Sequence, residues 1–391
     1  MRIGISSPVT IKEFLKYLDS DGQARAAPYE GLLAPSVNPI VHEFLQRGHE
    51  VVIFTLDKEV RRPIVVQGEK LKIYIGRYRK SARLRALTVF AAEIIALRGF
   101  IKKERLDVIH AHWTYEFAIA SLAARCPIVC TVRDIAEEIF KIHHDAYRYV
   151  RLWMNRYVFA RARRICFVAN SPYTSQMLQR YHPGLSVFVL PNPVGIEMVP
   201  VLENKVKSHV IVSIASGWDA RKNIMTLIEA FRIIRARYKD AVLRLIGPQF
   251  VPDHASVVQL PKEDVVGIEF YGKIAHDMLP AAMTEASVMV HPALEESFGN
   301  TLIEAMACGV PVVGGEKSGA VPWVLDDGRA GKLCDVTNPN AIAQCVSSLW
   351  CDETAWLEVQ RCGYERVINK FSAYGVAEDT LRLYHDIGVC A

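Results

Sequence analysis

Hydrophobic positions along this chain fall in short unbroken runs separated by stretches of helical period. In the first half the runs cover residues 2–6, 50–56, 71–75, 107–112, 128–133, 164–170 and 186–190. They are rich in β-branched residues and lack in/out alternation, which predicts strands of a parallel sheet covered on both faces. Between them the apolar positions repeat with helical spacing over 39–47, 83–103 and 147–162. The pattern then restarts, with strands predicted over 210–216, 241–246, 268–271, 288–291 and 311–313, and helices over 224–236, 276–286 and 301–307. Two doubly wound α/β domains in tandem follow, residues 1–200 and 201–372, with the boundary near the proline-containing segment 191–207. A last helical stretch, 373–387, has no strand after it. Residues 373–391 are therefore free to pack back across either domain, the N-terminal one included.

Composition agrees with this reading. At 391 residues, 51% apolar and 23% charged, the chain has material for two full cores and the balance of a soluble globular protein. Its start, MRIGISS, enters a strand directly, unlike a signal peptide. The longest apolar segment, 86–97, is too short to span a bilayer and contains Glu93. Nine scattered cysteines without metal-ligand spacing read as buried thiols in a reducing cytosol. Residues 1–200 carry 29 Lys+Arg against 18 Asp+Glu, whereas the remainder is acidic. A basic half suits an anionic partner. Arg77, Arg79, Lys80, Arg83 and Arg85 precede the apolar segment, and Lys102, Lys103 and Arg105 follow it, as on a lipid-facing patch or an ordinary solvated helix face.

In open parallel sheets ligands sit beyond the carboxyl ends of the strands, and two such sheets facing each other make a cleft. After the run 288–291 the loop 292–299 carries Glu295 and Glu296, and a helix is expected to begin near Thr301. Thr301 and Glu304 have capping-box spacing, which would account for Glu304 structurally. It leaves Glu295 and Glu296 unexplained. The amides of Phe298, Gly299, Asn300 and Thr301 would lie at the positive end of the helix, suited to an anion or to hydroxyl oxygens, and Gly299 permits close backbone approach.

Glu296 and Glu304 stand in the run ESFGNTLIEAMACGVPVV, which resembles the signature of glycosyltransferase family 4, retaining enzymes of the GT-B fold that use nucleotide sugars. The resemblance implies two Rossmann-like domains facing across a cleft. It implies that Glu296 lies by the donor sugar's hydroxyls, that Glu304 holds the ribose, and that residues 298–301 face the donor. DVIHAHW, residues 107–113, resembles the strand whose terminal histidine borders the donor sugar; that role falls to His112, with His110 structural. DARKN, residues 219–223, resembles the segment that brings a lysine to the diphosphate, here Lys222 with Arg221 beside it. Where the family usually has arginine this chain has Gly217. Gly31 stands alone where paired glycines are usual, and is expected as a phosphate contact. Arg133 replaces the common histidine and Trp323 the usual glutamate; Arg133 and Trp113 are expected on the acceptor side.

The expected function is therefore transfer of a glycosyl group from a nucleotide sugar to an acceptor hydroxyl with retention. A UDP-sugar is the first expectation and GDP-mannose the second. No metal and no other cofactor are expected, and no nucleic acid partner. The acceptor would be a sugar, a lipid-linked group or a small molecule. The place would be the cytoplasm, with peripheral contact at the inner membrane face through the basic domain. The rival readings are a non-catalytic nucleotide-sugar-binding subunit or sensor, and a glycosidase working through paired glutamates.

Overall fold

A computed structural model describes residues 1–195 and 208–388 of the chain. It divides into two compact units. The first runs from Met1 to Gly195 and takes in the chain from Ala373 onward, and the second ends at Ser372. The expected boundary at 200 falls outside the described residues.

The first unit is built on eight strands: β1 (Arg2–Ser6), β2 (Glu50–Asp57), β3 (Ile64–Gln67), β4 (Leu71–Arg77), β5 (Val108–His112), β6 (Ile128–Val132), β7 (Ile165–Ala169) and β8 (Val187–Val189). Their order is β3-β4-β2-β1-β5-β6-β7-β8, parallel throughout except for β3 against β4. β1, with Ile3, Gly4 and Ile5, lies between β2 and β5 and is buried from Ile3 onward. Unbroken burial on both faces is what the non-alternating runs require.

The second unit has six parallel strands: β9 (Val210–Ile214), β10 (Val242–Ile246), β11 (Ile268–Gly272), β12 (Val288–His291), β13 (Val312–Gly315) and β14 (Lys332–Cys334), ordered β11-β10-β9-β12-β13-β14. In each sheet the strand order reverses once, between β1 and β5 in the first and between β9 and β12 in the second. Such reversal points open a crevice at the carboxyl ends of the strands.

Three features depart from expectation. The helix expected over 83–103 is two helices, Ala82–Leu87 and Ala91–Ile101. The break falls at Val89 and Phe90, both left-handed, with the Phe90 ring fully buried as an anchor. Arg79 and Arg85 turn inward from the expected basic patch. Arg79 binds buried Glu93 at 2.6 Å, and the Arg85 guanidinium lies 4.1 Å from the Tyr78 ring. The eight described cysteines are free thiols, but only Cys130, Cys308 and Cys334 are buried; Cys126, Cys166, Cys345 and Cys362 are half-buried and Cys351 is exposed.

The C-terminal helix Ala373–Asp386 belongs to the first unit, where Tyr384 is fully buried beside Phe44 with ring centroids 6.1 Å apart. Its hydroxyl meets His110 Nδ1 at 2.7 Å, and Thr131 Oγ1 meets the other ring nitrogen at 2.7 Å. With both nitrogens occupied, His110 is a core residue. Burial, with the charge of Arg133 added, pushes its pKa down to about 3.

Candidate active site

In the second unit the chain leaves β9, crosses residues 215–218 and makes a tight turn, Ala220–Lys222. Asp219 starts the turn by accepting from the Lys222 amide at 3.1 Å. Asn223 ends it in a left-handed conformation that asparagine tolerates better than most residues. Its side-chain amide donates to Pro292 O at 3.1 Å and Val336 O at 2.8 Å, and the Leu294 amide donates to Arg221 O at 2.8 Å. These bonds tie the turn after β9 to the loop after β12.

That tie brings the expected residues together. Lys222 Nζ donates to Glu296 Oε1 in an ion pair whose side chains are 11% and 15% exposed. Arg221 stands 3.6 Å from Glu295 in a second, looser pair. His291, the last residue of β12 and buried, places Nε2 3.6 Å from the same Glu296 oxygen, an electrostatic contact rather than a hydrogen bond. Burial pulls the Glu296 pKa up, but His291 and the Lys222 ammonium pull it down further, and the carboxyl is held well below its ordinary range. Glu296 is thus an ionised acceptor of hydrogen bonds. The turn around it is pinned by the Ala320 amide, 2.9 Å from Glu296 O, and by Ser318 Oγ, 2.6 Å from Ala293 O.

The capping box expected of Thr301 and Glu304 does not form. The helix is Asn300–Ala307, its cap is Gly299 at φ 93°, and no side chain caps it. Glu304 is buried, and its Oε1 meets His276 Nε2 at 3.0 Å. A left-handed cap residue without a side chain leaves the helix start to the backbone alone. The Phe298 ring is buried in contact with Trp323 and Phe371, so only its backbone can serve a ligand. Trp323, where a glutamate is usual, is likewise part of this aromatic anchor. A side chain at Gly217 would meet Gln249 Oε1 at 2.4 Å, and the same oxygen accepts from the Trp218 amide at 3.0 Å. The position of the usual arginine is thus filled by a neutral amide from elsewhere in the chain.

At the reversal point of the first sheet, His112 ends β5 and is buried. Arg133 follows β6, with Nη2 2.9 Å from His112 Nδ1, Nη1 2.8 Å from Ser36 Oγ, and its guanidinium carbon 5.5 Å from the Trp113 ring. Gly31 joins the same edge through a bridge to Thr10, but its amide donates to Asp57 at 2.8 Å. In this conformation the amide expected to meet a phosphate is already engaged.

His291, His276, Asn223 and Asp57 were not singled out by sequence reasoning. His291 carried a signal, since a histidine ends the strand just before the glutamate loop. Nothing local in the sequence pairs His276 with a residue 28 positions on. No group of three or more His, Cys, Asp or Glu among the described residues could hold a metal ion.

Comparison with known proteins agrees with this architecture. Residues 36–197 match the family described as Glycosyltransferase Family 4, and residues 208–352 match Glycosyl transferases group 1. N-acetyl-alpha-D-glucosaminyl L-malate synthase of Bacillus anthracis is 30% identical over 185 residues, which are 46% of this chain and 46% of that protein. The match thus spans less than half of that relative's length. Among solved structures, sucrose-phosphate synthase from Thermosynechococcus elongatus superposes with a TM-score of 0.73 at 18% identity, covering 99% of each chain. Anabaena HepE in complex with UDP-glucose gives 0.67 at 16% identity, covering 99% of this chain and 100% of that one. At these identities the structural likeness speaks for the fold, which is GT-B. With a family match in each half and the paired glutamates and lysine brought together, the chain belongs to glycosyltransferase family 4.

Proposed function

We propose that the protein transfers a glycosyl group from a UDP-sugar to an acceptor hydroxyl with retention of anomeric configuration and without a metal. The observation that carries this is the Lys222–Glu296 ion pair at the reversal point of the second sheet. A donor offers what both partners want: diphosphate oxygens for the ammonium and sugar hydroxyls for the carboxylate. Lys222, with Arg221 beside it, would then neutralise the charge that grows on the departing diphosphate, and Glu296 would hold the sugar. Glu304 would take the ribose and the Gly299–Thr301 backbone the phosphates. Positioning and electrostatic stabilisation suffice for a front-face route in which the leaving phosphate assists the acceptor's deprotonation. A glycosidase needs a carboxylic acid kept protonated, and Glu296 is held in the opposite state. The UDP-glucose complex of HepE supports the choice of uridine; GDP-mannose remains the second choice.

The acceptor side falls to the first unit, and the proposal includes peripheral contact with an anionic membrane surface in the cytoplasm. Leu84, Leu87, Val89 and Ile95 are exposed by 54%, 74%, 50% and 69%, with exposed Arg83, Arg98 and Lys102 among them. Apolar side chains within a basic rim suit an anionic interface. Among the described residues no helix is long and apolar enough to cross a membrane.

A thermal-shift series with uridine, guanosine and adenosine diphosphates tests the donor. The preferred nucleotide at a hundred times its Kd stabilises by about 2.7 kcal/mol. Uridine diphosphate should give the largest shift, and Lys222→Ala should reduce it. NMR of the product's anomeric proton then reads retention. The proposal fails if none of the three nucleotides shifts the transition.

A further inference from the structure

His112 and Arg133 make a contact that fixes which proton His112 carries. A guanidinium has only donors to give. With Arg133 Nη2 2.9 Å from His112 Nδ1, the ring nitrogen must accept, so the imidazole is neutral and its one proton is on Nε2. Arg133 is itself held in place. Nη1 donates to Ser36 Oγ at 2.8 Å and to Asn192 Oδ1 at 2.5 Å, and Nη2 reaches Ser36 O at 3.4 Å. Two loops at the carboxyl edge of the first sheet, those of Ser36 and Asn192, thus orient one side chain, which in turn orients the histidine. The ring of His110 stacks on His112 with centroids 4.3 Å apart and has both nitrogens committed, to Tyr384 and to Thr131. Among the described residues nothing bonds to His112 Nε2.

We propose that Arg133 is a positioning residue that locks His112 as a neutral Nε2–H donor, so that His112 gives a fixed hydrogen bond to a substrate oxygen and takes no part in proton transfer. The assignment rests on the reading of His112 as a donor-side residue, and it replaces the acceptor-side role expected of Arg133. The groups that act on His112 electrostatically are His110 and Arg133, and both, after burial, oppose its protonation. The ring therefore stays neutral through the range where a free histidine titrates.

The experiment is long-range 1H–15N correlation on the histidine-labelled full-length protein, with no substrate added. Wild-type His112 should show the Nε2–H pattern, unchanged from about pH 5.5 to 8. Arg133→Met should loosen that preference and let the ring titrate; Arg133→Lys, which also only donates, should preserve it and serves if the methionine variant does not fold. In kinetics Arg133→Met should lower kcat/KM most at about pH 8, where the neutral ring can carry its proton on either nitrogen, and the loss should shrink toward pH 6 as protonation restores an Nε2–H. His112→Gln, which keeps a donor near Nε2, should retain roughly tenfold more kcat than His112→Ala. An Nδ1–H pattern in the wild type overturns the proposal, as does an Arg133→Met spectrum identical to the wild type at every pH. Because the NMR outcome needs no donor, its failure is separate from failure of the glycosyltransferase reading, which would show as no nucleotide binding.

Discussion

Lys222 and Glu296, 74 positions apart in the chain, form an ion pair from two loops that leave neighbouring strands of the second sheet. The pair keeps the site neutral while no donor is bound, and each member is mostly shielded from water. Lys222→Ala should lower kcat by roughly ten- to a hundredfold, the worth of one charge-assisted hydrogen bond to a leaving group. Glu296→Gln should lower kcat comparably with a smaller effect on nucleotide binding. A double-mutant cycle in kcat/KM should be strongly non-additive. Additive losses would mean that the two residues act independently.

The same pair links stability to pH. Glu296 has its folded-state pKa held well below the ordinary carboxyl range. A depressed carboxyl contributes stability that is present above the unfolded pKa and is lost as pH falls toward the folded one. Glu296→Gln should therefore show a shallower loss of urea midpoint between about pH 7 and 4 than the wild type. Parallel curves would remove the ion pair from the account of acid stability.

Glu304 and Thr301 separate binding from capping. Glu304→Ala should weaken uridine diphosphate binding more than Glu296→Ala does, measured by calorimetry. Thr301→Ala should change stability by less than about 0.5 kcal/mol, because its hydroxyl caps nothing. A loss of about 1 kcal/mol would restore the capping box.

The sequence pattern made most of the sheet legible, and the reason lies in burial. β1 and β12 have their expected bounds because continuous apolar runs can be satisfied only inside a covered sheet. β3 and β14 were not predicted. β3 is a four-residue antiparallel edge strand whose apolar run ends after three residues, and β14 has three residues in all; both are too short to register. The break at Val89 and Phe90 was hidden because helical period continues across it, and only the buried Phe90 ring shows why the chain stops there. Within the site, Glu296 and Lys222 were legible through their motifs. The His276 contact with Glu304 and the Arg133 contact with His112 are tertiary pairings between separate elements, which local spacing does not encode. The capping box was a correct reading of spacing overruled by Gly299, whose left-handed backbone starts the helix one residue early.

The exposed apolar face of the first unit gives a binding prediction. The protein should sediment with vesicles containing anionic phospholipid and not with purely zwitterionic ones, and added salt should weaken the association. Leu87→Glu with Ile95→Glu should abolish sedimentation while leaving turnover of a soluble acceptor unchanged. Equal sedimentation by wild type and double variant would assign the face another purpose.

Tyr384→Phe removes the hydroxyl that meets buried His110 at 2.7 Å. It should cost about 1–2 kcal/mol in chemical denaturation, the range for a buried hydrogen bond with one partner deleted. A loss below about 0.3 kcal/mol would show that His110 is satisfied without it.

The return of the last helix to the first unit also sets an order on biosynthesis. When a ribosome has released as far as Gly195, all eight strands of the first sheet exist, yet the place beside Phe44 and the partner of His110 Nδ1 are still untranslated. The core of the first unit is therefore completed only by residues translated after the whole of the second unit.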